Sequence, residues 1–335
     1  MHQPAATYRT HVSDLIGASE LKSYYRTNWR RTVFTFFHIW LALGLSLGAL
    51  PLTSTLPLFA RIPLWAFLVV FIGSRLNAIA VQVHEASHFL LFEHKRLNHW
   101  FCNLLGAYWI LNDVESYWHV HKNHHLHLHE TNDPDRDLYL IPDRPIRILA
   151  VVACDFFWVT AFRRVLAYLR NRPATGRAEN ADVDAVARGG HFAGKVAAQS
   201  FVLLLFFWMF AWPYAAAYYF VFWLVPLFSI FPLFIRLRIV TEHFADALHE
   251  SDDRKPFISR TTVSNVLEDY FIGSQMQYHM EHHLYQNIPH YMLVRLHREL
   301  VRRGFFERNR ENQYNLLSWG YLRFWRQMIS DMRRR

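Results

Sequence analysis

The sequence predicts an all-α integral membrane protein with about four transmembrane helices and a helical cap gathered on one side of the bilayer. Three observations carry that expectation. The 335 residues are 52% hydrophobic and 17% aromatic but only 19% charged, too apolar for an ordinary soluble chain. Two stretches, Thr32 to Ala60 and Val196 to Ile235, contain no Asp, Glu, Lys or Arg. The net charge of +9 comes from basic residues that crowd beside the apolar runs and at Arg333, Arg334 and Arg335, as expected of flanks facing anionic cytoplasmic lipid. That pattern fits membrane lipids as partners and gives no support to nucleic acid.

Taken in order, the first 31 residues are polar and basic, carry no signal peptide and should stay in the cytoplasm. The first span covers about 32–50. A second, about 62–83, is interrupted by Arg75, Asn77 and Gln82, which suggests a helix that leaves the membrane and continues into the cap. The stretch from Val196 to Ile235 is long enough for two crossings of a roughly 30 Å hydrocarbon layer, so a hairpin of spans 195–212 and 214–235 turns near Pro213. Regions 84–145 and 236–300 then form the cap, and 301–335 a basic tail.

Parity limits the spans to four, because basic stretches 1–31, 163–193 and 236–260 belong on one side. Ile146 to Phe162 would make a fifth span and export Arg163, Arg164, Arg170 and Arg172, so it is read as lying in the interface or on the cap, in keeping with Asp155 in its middle. Residues 171–190 read as a cytoplasmic loop. Cys102 and Cys154 stand far apart and outside any CxxC pair, which excludes a disulfide framework and a thiolate zinc site.

The histidines carry the chemistry. Of 21, ten lie between His84 and His129 and seven between His243 and His297. They form three boxes: His84 and His88 in HEASH, His121, His124 and His125 in HKNHH, and His279, His282 and His283 in HMEHH. On a helix, i, i+3 and i+4 share a face, so each box aims its imidazoles at a common point. One HxxxH alone reads equally well as a pair of solvated histidines, but three boxes beside spans on the same side read as ligands. Eight imidazoles exceed what one tetrahedral zinc takes, and imidazole suits iron, copper or zinc, so two metals are implied. Because the repeated unit is His-x-x-His-His rather than Glu-x-x-His, a histidine-rich di-iron centre is expected.

His243, in RIVTEHF at the exit of the last span, is the expected ninth ligand, against the alternative of a lone histidine near the headgroups. His119, His127 and His129 are assigned supporting or capping roles. Asp133, Asp135 and Asp137 either accept from ligand imidazoles or serve turn chemistry around Pro134. Glu242 and Glu281 are better placed as acceptors, being next to proposed ligands.

The order of boxes and the flanks HEASHFLLFEHKRLN, HHLHLHETNDPDRD, RIVTEHF and YHMEHHLYQNIPHYML resemble the membrane fatty acid desaturase and hydroxylase superfamily, in its bacterial desaturase-like branch, over roughly Asn77 to Leu300. The resemblance implies two Fe2+ ions, O2 as co-substrate, a lipid or acyl-chain substrate, and an inner-membrane location with both termini and all boxes cytoplasmic. The first box is shorter than in the acyl-CoA Δ9 branch, so that substrate does not transfer, and no HPGG motif marks a fused cytochrome b5 domain. With no flavin, nicotinamide or haem motif, electrons must come from an external ferredoxin, rubredoxin or cytochrome b5 type donor with its reductase. Desaturation is the expected reaction, with hydroxylation of a lipid, carotenoid or other apolar molecule as the alternative. A histidine-rich metal transporter is a remote third reading, since His38 is the only histidine inside a clear span.

Overall fold

The computed structural model of the chain describes residues 15–140, 144–169, 191–244, 259–308 and 317–334. Its principal helices are α1 (Trp29–Gly48), α2 (Leu58–Ser87), α3 (Lys95–Leu105), α4 (Val114–His127), α5 (Pro145–Phe156) and α6 (Val159–Leu169). They continue with α7 (Phe192–Met209), α8 (Tyr214–His243), α9 (His279–Leu284), α10 (His290–Arg302) and α11 (Tyr321–Arg334). Among the described residues, four helical stretches are long and apolar enough to cross a membrane: the one containing α1, and α2, α7 and α8. Phe34, Phe37, Phe59, Leu204 and Trp208 point outward from them, an apolar belt that only lipid can cover. The loop expected at 171–190 and the terminal Arg335 lie outside the described residues.

The four spans alternate in direction. Thr32, at the start of α1, donates through Oγ1 to the carbonyl of Leu91, just past the end of α2, at 2.9 Å. At the far end, Trp65 near the start of α2 donates to Thr53 Oγ1 at 2.9 Å and packs edge-on against Tyr218 near the start of α8. The histidine-bearing ends of α2 and α8 therefore emerge on the same side. The two helices cross closely at Gly73, where a Cβ would lie only 2.4 Å from Ile230 Cγ2, so no larger residue fits without moving the helices apart.

The second span is longer than its apolar run. Arg75, Asn77 and Gln82, which interrupt that run, are all buried. Arg75 lies over the ring of Tyr270 at 3.8 Å and donates to its carbonyl, while Asn77 Nδ2 donates to the carbonyl of Ile272 at 2.8 Å. These polar groups thus hold the returning segment 269–273 instead of ending the helix. α8 likewise runs on past residue 235 to His243, absorbing Pro226 through wide π turns over Phe220–Leu224 and Pro226–Ile230.

Between α1 and α7 the chain inserts α3 and a tight turn, Ala107–Ile110. Irregular backbone at this depth needs internal partners, since lipid offers none. Trp40 Nε1 donates to the carbonyl of Leu105 at 2.8 Å, and Trp109 Nε1 to that of Leu104 at 2.8 Å. Gln199 Nε2 serves the carbonyl of Trp109 at 3.1 Å, and its Oε1 in turn accepts from Trp223 Nε1 at 2.8 Å.

The apolar stretch from Ile146 to Phe162 is divided between α5 and α6 by a turn in which Trp158 adopts φ +66°. Over the described residues neither helix is long enough to cross. α5 is tied to α8 by the buried pair Arg236 and Asp155, and Ser229 Oγ donates to the carbonyl of Phe156 at 2.7 Å. One departure from a purely helical expectation is a parallel pair of two-residue strands, β1 (Thr261–Thr262) and β2 (Leu317–Ser318). Two residues are too few for any alternation to be visible in a sequence.

Gln199→Leu should destabilise the detergent-solubilised protein by about 1–3 kcal/mol, because it strands buried partners on two elements. Leu204→Ala, on the lipid-facing side of the same helix, should cost within about 0.5 kcal/mol. Thermal unfolding of the two variants side by side checks this, and equal effects would contradict it.

Candidate metal centre

Each box is delivered by a helix with a definite stop or start. α2 ends at Ser87 after its buried turn carries His84 and Glu85, and Asn98 closes that end by donating from Nδ2 to the carbonyl of Ala86 at 2.7 Å and accepting from the Leu91 N–H at 3.0 Å. α4 begins at the N-cap Asp113, whose Oδ1 accepts from the Ser116 N–H at 2.8 Å. The third box is almost the whole of α9, and His243 is the last residue of α8.

All nine histidines expected as ligands come together, in two groups. One ring nitrogen each of His84, His88, His121, His125 and His282 lies within 4.8 Å of the others. His124, His243 and His283 form a second group, and His279 joins it through His243 with Glu242 beside them. In the first, His125 Nε2 is 2.9 Å from His121 Nε2 and 3.2 Å from His282 Nε2. In the second, His243 Nε2 is 3.3 Å from His124 Nε2 and 2.9 Å from His279 Nε2, and His283 Nε2 is 3.1 Å from His279 Nε2. Metal–nitrogen bonds of about 2.1 Å at right angles would put neighbouring ligand nitrogens roughly 3.0 Å apart, close to these separations.

Contrary to the expectation from helix spacing, the second and third boxes are not each aimed at a single point. In HKNHH, His121 and His125, four apart, face the first group while His124 faces the second. In HMEHH, His279 and His283, four apart, face the second while His282 crosses to the first. A third-neighbour position is offset from a fourth-neighbour one by about 100°, enough to separate two foci a few ångströms apart.

The donor set fits metal. The Nε2 atoms of His121, His125 and His282 in the first group, and of His124, His243, His279 and His283 in the second, have other imidazole nitrogens as their near neighbours, and Nε2 of His84 and of His88 is buried with no hydrogen-bond partner among the described residues. Facing neutral rings can share only one proton per contact, so lone pairs are left unpaired at about 1–3 kcal/mol each, a cost that cations bound to them would offset. Burial and then the neighbouring imidazoles hold His121, His125, His279, His282 and His283 well below the ordinary histidine range, which keeps them neutral as ligands must be.

His124 is the exception. Burial opposes its proton, but the hydrogen bond and charge of Asp133 outweigh burial and raise it. The Nδ1 of His124 lies 2.9 Å from Asp133 Oδ1, so the carboxylate holds the proton there and turns Nε2 toward the second group. Asp133 also accepts from Tyr139 and from the N–H groups of His129, at 3.2 Å, and Asp135, at 2.9 Å. It therefore serves both the turn and the ligand box. Asp135 is 3.9 Å from His124, and Asp137 is exposed.

Glu242 pairs with Arg238 at 3.0 Å and lies 3.8 Å from His279 Nε2. Glu281 turns away from the rings to His297, at 2.6 Å, and to Thr261. His127 bonds Glu130 at 2.9 Å, His119 packs edge-on against Trp118, and His129 is buried with its ring centre 6.4 Å from that of His243; none of the three joins a group. Sequence reasoning missed Glu85, Tyr139, His290 and His297, although Glu85 stands inside HEASH.

A further cluster is Asp113, Glu115 and His191, of which Glu115 and His191 line a cavity of about 360 Å3 with Arg96, His99, Trp100 and Tyr108. Its carboxylates are already occupied. Lys195 Nζ sits 2.6 Å from Asp113 Oδ2, and Asn103 Nδ2 donates to Glu115 Oε2 at 2.8 Å.

With this geometry in place, the fatty acid desaturase family model matches residues 60–312, which spans all nine histidines and both helices that carry them out of the membrane. The chain belongs to the fatty acid desaturase family. It is also 26% identical over 248 residues to dihydrorhizobitoxine desaturase of Bradyrhizobium elkanii, a match covering 69% of this chain and 66% of that protein. The desaturase family match begins just inside α2 and ends beyond α10, leaving α1 and α11 outside it.

For the metal-stripped protein, stability should fall as pH drops through about 6.5, the value of an unperturbed imidazole. The unfolded chain then binds protons that the folded cap refuses, so unfolding becomes easier with acidity; His124, raised instead of lowered, opposes the trend by a single site. Unfolding of chelator-treated protein in detergent from pH about 8 to 5 measures this, and a flat profile would contradict the arrangement.

Proposed function

We propose that the chain is an O2-dependent membrane desaturase that holds two irons, one on His84, His88, His121, His125 and His282 and the other on His124, His243, His279 and His283. The observation that supports this reading most is the division of nine buried imidazoles into two groups at adjacent-ligand separations, at one end of a bundle of four apolar helices. Overall, an alkyl –CH2–CH2– unit, O2, two electrons and two protons give –CH=CH– and two waters. The ferrous pair, when bound, supplies the reduction of O2 and the C–H oxidation.

The chain's own residues position the reactants and exclude water. Neutral rings present lone pairs, Asp133 fixes the tautomer of His124, and the stacked ring of Tyr117, centred 5.2 Å from that of His121, roofs the first group. The substrate is an apolar chain entering from the bilayer. The family and the relative share a desaturation in their names and differ in the substrate named, which supports the reaction class more than a particular carrier. Electrons come from an external ferredoxin, rubredoxin or cytochrome b5 type protein with its reductase. The parity of basic stretches supports cytoplasmic boxes and termini.

Purified protein should contain about two irons per chain. His84→Ala, His124→Ala and His282→Ala should each lose iron and abolish turnover while still inserting in the membrane. Lipid analysis of an expressing host should reveal new double bonds; one zinc and no iron would sink the proposal, and new hydroxyl groups in place of double bonds would move it to hydroxylation. Orientation is tested separately: in intact cells, an impermeant thiol reagent should label Leu52→Cys and spare Lys122→Cys, and the opposite pattern would reverse the topology.

A further inference from the structure

α10 carries two histidines, His290 and His297, separated by two turns and so on the same face, together with the buried Leu293, Leu296 and Leu300. Each donates toward a buried glutamate that is the chain neighbour of a box histidine. His290 approaches Glu85 twice, its backbone N–H and its Nδ1 each 2.9 Å from Oε2, at a helix N-terminus where a carboxylate is favoured. His297 Nδ1 is 2.6 Å from Glu281 Oε1, whose other oxygen accepts from Thr261. Glu85 follows His84, and Glu281 precedes His282.

In the five-nitrogen group His282 of the third box meets His84 and His88 of the first, with ring centres 4.4 Å and 4.7 Å away. The remaining oxygen of Glu85, Oε1, is 3.7 Å from His84 Nδ1, just beyond hydrogen-bond distance, and both atoms are buried with no hydrogen-bond partner among the described residues. A ring that binds metal through Nε2 carries its proton on Nδ1 and needs an acceptor there, and Glu85 is the carboxylate in reach.

We infer that α10 is a bracket that sets the first and third boxes at the spacing the five-nitrogen group requires, with His290 and His297 as positioning residues acting through Glu85 and Glu281. This rests on the ligand assignment proposed above. His290 aims Glu85 at His84 Nδ1, and His297 anchors α9 so that His282 reaches across.

The test uses the full chain in detergent, loaded with Fe2+. Retention of iron against a competing chelator, the Mössbauer spectrum and thermal unfolding are followed for His290→Ala, His297→Ala, the corresponding Gln variants, Leu296→Ala, Arg298→Ala, His84→Ala and His282→Ala. Either His→Ala change should weaken retention of one of the two irons by about 10- to 100-fold and alter the signal of that iron alone. Gln, which keeps an N–H donor, should recover most of the loss. Leu296→Ala should lower thermal stability with iron retention intact, and exposed Arg298→Ala should change neither.

Wild-type retention and spectra in both His→Ala variants would overturn the bracket, as would an equal loss of iron in Leu296→Ala, which would reduce the effect to packing. Loss of iron in His84→Ala and His282→Ala with none in the α10 variants would defeat the bracket alone. Full iron in His84→Ala and His282→Ala would defeat the ligand assignment beneath it.

Discussion

Nine imidazole rings packed nitrogen to nitrogen in a buried site form an arrangement that uncharged protein alone does not sustain cheaply. Neighbouring lone pairs repel, burial opposes the protons that would relieve them, and the facing nitrogens have chiefly one another as neighbours. Cations bound there would resolve this conflict, and the rest of the fold reads as the means of holding the rings at that spacing. The short α9 brings three rings on six residues, Asp133 fixes one tautomer, and the carboxylates of Glu85, Glu242 and Glu281 surround the rings from outside.

The site also has to be built against a membrane, and α2 and α8 meet both demands. Each is apolar over a bilayer's depth and then polar or histidine-bearing beyond it, so one rigid rod links the lipid environment to the cap. Rods convey position well only if they do not slide. The close crossing at Gly73, the bonds of Arg75 and Asn77 to the returning segment, and the buried pair of Arg236 with Asp155 all lie in the histidine-bearing halves of the two helices. Polar residues that lower the hydropathy of a span thus serve to register the cap upon it.

Much of this was legible in the sequence because it depends on local order. Charge-free runs mark the spans, and the i, i+3, i+4 spacing marks the boxes. His243 was also within reach, since a continuing helix carries it a fixed distance past the last apolar residue. Helix periodicity was less informative about partners: it could place His121, His124 and His125 on one side of α4 but not divide them between two foci, because the second focus is formed by His243, His279 and His283 from other helices.

By itself, then, the sequence determined which residues are apolar enough to cross, which histidines share a helical face, and the family to which their order belongs, all of which follow from spacing along a single chain segment. Only the tertiary structure decided the five-and-four division of the rings, the choice of Asp133 over Asp137 as acceptor for His124, and the pairing of Glu85 and Glu281 with α10. These depend on distances between groups as many as 205 residues apart, such as Glu85 and His290, and such distances are set by how helices pack, which no local periodicity encodes.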